Sequence, residues 1–155
     1  MSYPQSILFV CSANICRSPT AEAIFAHIIK ERGIQYKWEV NSAAIGVWHI
    51  GKPTDWRAVE ALRNHSIEYN GRSKQIKDED FNKFDYILGV DEKNVVKLKE
   101  MAPKNCKAKI LLLSDFDTEE DRIIRDPYFD TGLEGFEKCY QQCLRCCKAF
   151  LDKHS

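Results

Sequence analysis

Apolar runs of strand length alternate with stretches of helical period along this chain, and that alternation restricts it to a parallel sheet covered by helices on both faces. Residues 7–10, 38–43, 86–90 and 110–113 read as four strands. The run at 38–43 is the least regular; the near-continuous apolar character of the others suits strands buried on both sides. Between the first two strands the spacing predicts a helix with Ser18 as N-cap, Pro19 at the first helical position, Glu22 in the first turn and Gly33 as the stop. Ala21, Ile24, Phe25, Ile28 and Ile29 give that helix one apolar face. Further helices are expected over 56–64, over 92–101 behind a capping Asp91, and over 133–151, while the polar stretch 69–84 is ambiguous. A right-handed crossover puts the turn after the first strand at the carboxyl edge of the sheet, where open α/β folds bind ligands.

With 155 residues, 44% of them hydrophobic, the chain can bury one substantial core, and no repeat or linker divides it, so residues 1–155 are expected to form a single three-layer α/β domain. Lys plus Arg and Asp plus Glu balance at 23 each. That balance gives no global field for nucleic acid or an anionic membrane surface. The N-terminal stretch lacks the pattern of a signal peptide and no apolar run reaches spanning length, so the expected location is cytoplasmic, with the seven cysteines as thiols.

The turn from Cys11 to Arg17 ends at a helix N-terminus, where free N–H groups and the macrodipole favour an anion. Amides of Ser12, Ala13, Asn14, Ile15, Cys16, Arg17 and Ser18 can form a nest around a phosphate, and the Arg17 guanidinium can grip two of its oxygens. A thiol beside that helix end and that arginine favours its thiolate, which makes Cys11 a nucleophile, with Ser18 placed to donate to the sulfur. For an arbitrary Cys-x5-Arg match the bland reading is a buried strand end and a solvated cation. The strand before the turn and Ser-Pro and a helix after it favour the phosphate loop.

The turn Cys11-Ser12-Ala13-Asn14-Ile15-Cys16-Arg17-Ser18-Pro19 resembles the signature loop of the low-molecular-weight protein tyrosine phosphatases. The likeness continues through Ser42-Ala43-Ala44, Phe84-Asp85-Tyr86-Ile87-Leu88, Asp126-Pro127-Tyr128 and Tyr140-Gln141-Gln142-Cys143, nearly to the C-terminus. The resemblance implies a hydrolase that cleaves phosphotyrosine, and aryl or acyl phosphates, through a cysteinyl-phosphate on Cys11, releasing inorganic phosphate without metal or cofactor. It implies Arg17 as the phosphate grip, Asp126 as general acid, Asn14, Ser18 and Ser42 as loop supports, and Asp91 as the residue that orients Arg17. Without the resemblance, Asp126 is a turn residue before proline and Asp91 a helix cap. Trp48 and Tyr128 read either as walls of a slot for a phenyl ring or as ordinary packing. In the family, the residue matching Cys16 can form a disulfide with the nucleophile.

Two positions depart from the family pattern. Ala13 stands where glycine is usual, and Gly71 where many relatives carry a histidine that joins the Asn14 and Ser42 network; both departures imply a looser cradle and reduced turnover. One alternative is therefore a weakly active or inactive phosphotyrosine- or anion-binding module. Retention of Cys11, Arg17, Ser18 and Asp126 argues against it. Arsenate reduction is disfavoured because the region 69–99 has no cysteine to resolve an arsenylated thiol. Cys139, Cys143, Cys146 and Cys147 read as core packing rather than as a zinc site, for want of a second ligand pair. The expected partners are phosphotyrosine proteins, and the aromatic rim leaves a weak homodimer open.

Overall fold

The computed structural model describes residues 4–154. Four parallel strands, β1 (Gln5–Cys11), β2 (Trp38–Ala44), β3 (Tyr86–Gly89) and β4 (Lys109–Leu112), form one sheet in the order β2-β1-β3-β4. Helices α1 (Arg17–Glu31), α2 (Trp56–Arg63), α3 (Asp80–Lys83), α4 (Glu92–Met101) and α5 (Glu134–His154) surround it. The four-stranded parallel α/β architecture is the one the alternating pattern predicts.

Successive residues of a strand point to opposite faces, and β1 is apolar on both. Ile7, Phe9 and Cys11 join Ile24, Phe25, Trp38, Phe150 and the other residues of the core under α1 and α5. Leu8 and Val10 join Ala43, Phe81, Phe84, Ile87 and Leu98 on the side of α3 and α4. A smaller cluster of Ile15, Cys16, Ala58, Ala61 and Phe136 backs the loop after β1. Cys139, Cys143, Cys146 and Cys147 pack into the first of these cores. Burial pushes the Cys147 thiol well above its ordinary range.

The start of α1 corrects the sequence reading. Cys16, not Ser18, occupies the N-cap, with no side-chain cap bond. Ser18 lies inside the first turn because its hydroxyl is turned back towards the sulfur of Cys11, 2.9 Å away, and is thereby removed from the helix end. The other end is as expected. Gly33 takes φ +69, its N–H bonds Lys30 O at 3.1 Å, and the N–H of Ile34 reaches Ile29 O at 2.8 Å, the paired bonds of a left-handed C-terminal cap. β4 begins and ends one residue earlier than expected because Leu113 opens a 3-10 turn through Phe116. The ambiguous polar stretch contains α3 and two isolated bridges, Ala44 with Gln75 and Pro53 with Arg72.

Candidate active site

β1 is flanked by β2 on one side and β3 on the other, so the chain reverses its direction of winding at β1 and leaves a crevice at the carboxyl ends of the strands. The loop from Cys11 to Arg17 fills that crevice. Cys11 is 3% exposed, and its Sγ receives the Asn14 N–H at 3.3 Å besides facing the Ser18 hydroxyl. Asn14 takes φ +57, a left-handed conformation that asparagine tolerates better than most residues. Its Nδ2 donates to Ser18 Oγ at 2.8 Å and to Ser42 Oγ on β2 at 2.9 Å, while its Oδ1 accepts the Lys74 N–H at 3.1 Å. Donor and acceptor ends of the amide are therefore both assigned.

Arg17 is buried, and its Nη1 donates to Asp91 Oδ2 and to Ile124 O, both at 2.9 Å. Burial works against the cation, but negative charge at Cys11, Asp91 and Asp126 outweighs it and holds Arg17 above its ordinary value. Asp91 makes both contacts, one per oxygen. Oδ2 takes Arg17, and Oδ1 caps α4 by accepting the Asn94 N–H at 2.8 Å. Asn94 also donates to Ser12 Oγ at 3.3 Å, which ties the loop to the start of α4.

Above the loop lies a cleft of about 220 Å³ whose upper walls are Trp48, His49, Asp126, Tyr128 and Phe129. Trp48 is 67% exposed and Phe129 is 90% exposed. Their rings stand at the mouth of the cleft, with that of Trp48 laid against Gly46. Tyr128 is half-buried, and its N–H bonds Asp126 Oδ1 at 3.1 Å, so the exposed carboxyl of Asp126 is oriented by its own turn.

Several residues that shape this site carry no signal in the sequence. Arg57 on α2 pairs with Asp55 through two bonds of 3.1 and 2.9 Å, lies over the Phe136 ring at 4.4 Å, and donates to Tyr128 O at 2.7 Å and Asp130 O at 2.5 Å. It thereby ties the segment that carries Asp126 to α2. Asp55 caps α2 and also accepts the Cys16 thiol at 3.9 Å. Only the capping role of Asp55 was readable, from an acidic residue just before a helical run.

Both departures have bonded neighbours in the structure. Ala13 has no positive φ, so nothing in its backbone requires glycine, and its carbonyl accepts the Ser73 hydroxyl at 2.8 Å. At Gly71, a Cβ would lie 2.2 Å from the phenol oxygen of Tyr69. That oxygen donates to Glu22 Oε1 at 2.9 Å, and Glu22 Oε1 also accepts the Ser42 hydroxyl. The space beside the network is therefore filled by a tyrosine from two residues earlier, and a histidine at 71 collides with it.

A crevice at a strand switch point, a buried thiol under a helix N-terminus and an arginine held beside it meet at the carboxyl edge of the sheet. The model of the low molecular weight phosphotyrosine protein phosphatase family matches residues 6–154. The mouse low molecular weight phosphotyrosine protein phosphatase is 47% identical over 151 residues, covering 96% of this chain and 95% of that one. The crystal structure of Primo-1 superposes with a TM-score of 0.92 at 43% identity, covering 96% of this chain and 97% of the other. That of DARP, a Drosophila arginine phosphatase, gives 0.92 at 38% identity with the same coverage. The chain belongs to the low molecular weight phosphotyrosine protein phosphatase family and is a phosphotyrosine protein phosphatase.

Proposed function

We propose that the chain works as one domain, residues 1–155, which hydrolyses phosphotyrosine with Cys11 as nucleophile, Arg17 as phosphate grip and Asp126 as general acid. The observation that carries this reading is the sulfur of Cys11 at the floor of the cleft, 2.9 Å from the Ser18 hydroxyl, with Arg17 and Asp126 lining the same space. The thiolate attacks phosphorus in line. The loop amides from Ser12 to Ser18 and the Arg17 guanidinium bind the equatorial oxygens as charge develops on them. Asp126 gives its proton to the departing phenolate oxygen, the S–P bond is complete, and the tyrosine hydroxyl leaves. The Asp126 carboxylate then takes a proton from a water that attacks the cysteinyl-phosphate, which releases inorganic phosphate and returns the thiolate stabilised by Ser18 and Asn14.

Trp48 and Tyr128 supply flat apolar walls for the phenyl ring, and the depth of the Cys11 sulfur below them favours a long phosphotyrosine over phosphoserine. Aryl and acyl phosphates fit the same slot. A weak homodimer that covers Trp48 and Phe129 would close the cleft, and sedimentation at increasing concentration reads it. We place the protein in the cytoplasm, where reducing conditions suit its seven free cysteines; among the described residues no helix is long and apolar enough to cross a membrane. Cell fractionation with the activity in an exported fraction would overturn that location.

The test is steady-state hydrolysis of an aryl phosphate and of peptides bearing phosphotyrosine, phosphoserine or phosphoarginine, with Cys11→Ser alongside. Turnover of the aryl phosphate and the phosphotyrosine peptide, lost in Cys11→Ser while inorganic phosphate still binds, is the expected result. Faster turnover of the phosphoarginine peptide would reassign the substrate, and activity surviving in Cys11→Ser would reassign the nucleophile.

A further inference from the structure

The Glu22 carboxylate sits on α1 between two hydroxyls, those of Ser42 and Tyr69, and accepts from both at Oε1. A carboxylate can only accept. The Ser42 proton is therefore committed to Glu22, which leaves the Ser42 oxygen to accept from Asn14 Nδ2 at 2.9 Å. The second Nδ2 proton goes to Ser18 Oγ at 2.8 Å. Having accepted that bond, Ser18 has its own proton free for the Cys11 sulfur at 2.9 Å. Lys74 N–H holds the Asn14 amide from its Oδ1 end and Ser42, anchored on Glu22, holds it from its Nδ2 end, so the group that turns the Ser18 proton towards the sulfur is braced by where Glu22 stands.

Glu22 is only half-buried, so solvent competes for its oxygens and a second anchor decides whether it stays. Tyr69 is that anchor. Burial, reinforced by the charge of Glu22, pushes the phenol above its ordinary value, and the hydroxyls of Ser42 and Thr54 face the same oxygen. It is consequently a neutral donor throughout the range in which a phosphatase is assayed. Gly71 makes room for it, since any side chain there would begin 2.2 Å from the phenol oxygen. The backbone beside the phenol is held as well: Thr54 N–H and Oγ1 reach Gly71 O at 3.4 and 3.3 Å.

From these contacts we propose that Tyr69 is a positioning residue for the phosphatase reaction: its hydroxyl holds Glu22 in place, and through Glu22, Ser42, Asn14 and Ser18 it directs a proton donor at the Cys11 sulfur. The proposal rests on Cys11 being the nucleophile. The phenol touches neither substrate nor sulfur, so its effect is on the readiness of the thiolate and not on leaving-group protonation.

Tyr69→Phe removes one oxygen and keeps the ring. In that variant kcat should fall about three- to tenfold on p-nitrophenyl phosphate and on phenyl phosphate alike, with KM changed less, the scale of one lost hydrogen bond. The rate of iodoacetate alkylation at Cys11, read by peptide mapping, should fall by a similar factor well below the thermal midpoint, where loss of fold does not contribute. Glu22→Gln replaces the carboxylate that accepts from both hydroxyls with an amide that can also donate to Ser42 and so weaken the brace on Asn14, so its loss should be larger. The double variant should be no worse than Glu22→Gln alone, because both changes act through one carboxylate. Unchanged kcat and alkylation in Tyr69→Phe, additive losses in the double variant, or a loss confined to phenyl phosphate would each overturn the proposal. If iodoacetate in the unmodified protein reacts elsewhere than Cys11, or inorganic phosphate gives no protection, the nucleophile assignment itself falls and takes this role with it.

Discussion

Cys11 and Cys16 lie on one loop in opposite surroundings. Cys11 meets an N–H, a hydroxyl and the neighbourhood of Arg17, whereas Cys16 is packed against Ala58, Ala61 and Phe136 and points at the Asp55 carboxylate. Burial first, and then the charge of Asp55, push the Cys16 thiol far above its ordinary range. Of the two, Cys11 is therefore the one expected to meet peroxide first, and Cys16 is the thiol on the same loop that would displace water from its sulfenic acid. Mild peroxide should inactivate the enzyme reversibly through a Cys11–Cys16 bond, and Cys16→Ser should make the loss irreversible. Peptide mapping that finds sulfinic Cys11 beside free Cys16, with no recovery in thiol, would leave Cys16 as loop packing. At this scale the sequence was most informative where partners are neighbours. Cys11, Asn14, Arg17 and Ser18 share one turn, and their types and spacing announce their chemistry. Glu22 reads only as a helix-start acid and Tyr69 only as part of a polar stretch, because the bond between them spans 47 positions, and no local pattern encodes that meeting.

Between elements, the segment from Asp126 to Asp130 has no regular structure of its own and depends on what grips it. Arg125 pairs with Asp130 at 2.9 and 2.5 Å near the surface, and exposed pairs of this kind contribute little. Arg57 is the stronger tie, since it is mostly buried, holds two carbonyls of the segment and stacks on Phe136 of α5. Arg57→Met keeps the packing and removes the donors. It should cost phenyl phosphate about tenfold or more in kcat and p-nitrophenyl phosphate only a few-fold, because an activated leaving group needs the acid less. Equal losses on the two substrates would mean that Arg57 supports the fold and not the placement of Asp126. Strands and long helices were legible here to within a few residues, since each carries its own periodicity. The short α3 and the bridges around Gln75 and Arg72 were not: a single turn is too short to show a period although Phe81 and Phe84 anchor it in the core, and Ser73 and Lys74 are held by bonds to Ala13 and Asn14 of the loop.

Across the whole molecule, α1 and α5 meet over one face of the sheet, and the aromatic residue at their junction is Phe150. It is fully buried and contacts the rings of Phe25, Trp38, Tyr86, Phe116 and His154. Phe150→Ala should cost about 3–5 kcal/mol in urea unfolding, while kcat of the molecules that remain folded stays unchanged. A parallel drop in kcat at temperatures well below the new midpoint would show that this core reaches into the loop. The order of the strands has one more consequence. With β1 inside the sheet, Cys11 precedes in the chain every group that completes its surroundings: Ser42, Tyr69 and Asp91 follow one after another, and Asp126 and α5 come after those. A growing chain thus carries the cysteine before it carries the groups that surround it, and the cradle exists only once the later elements have folded against the loop.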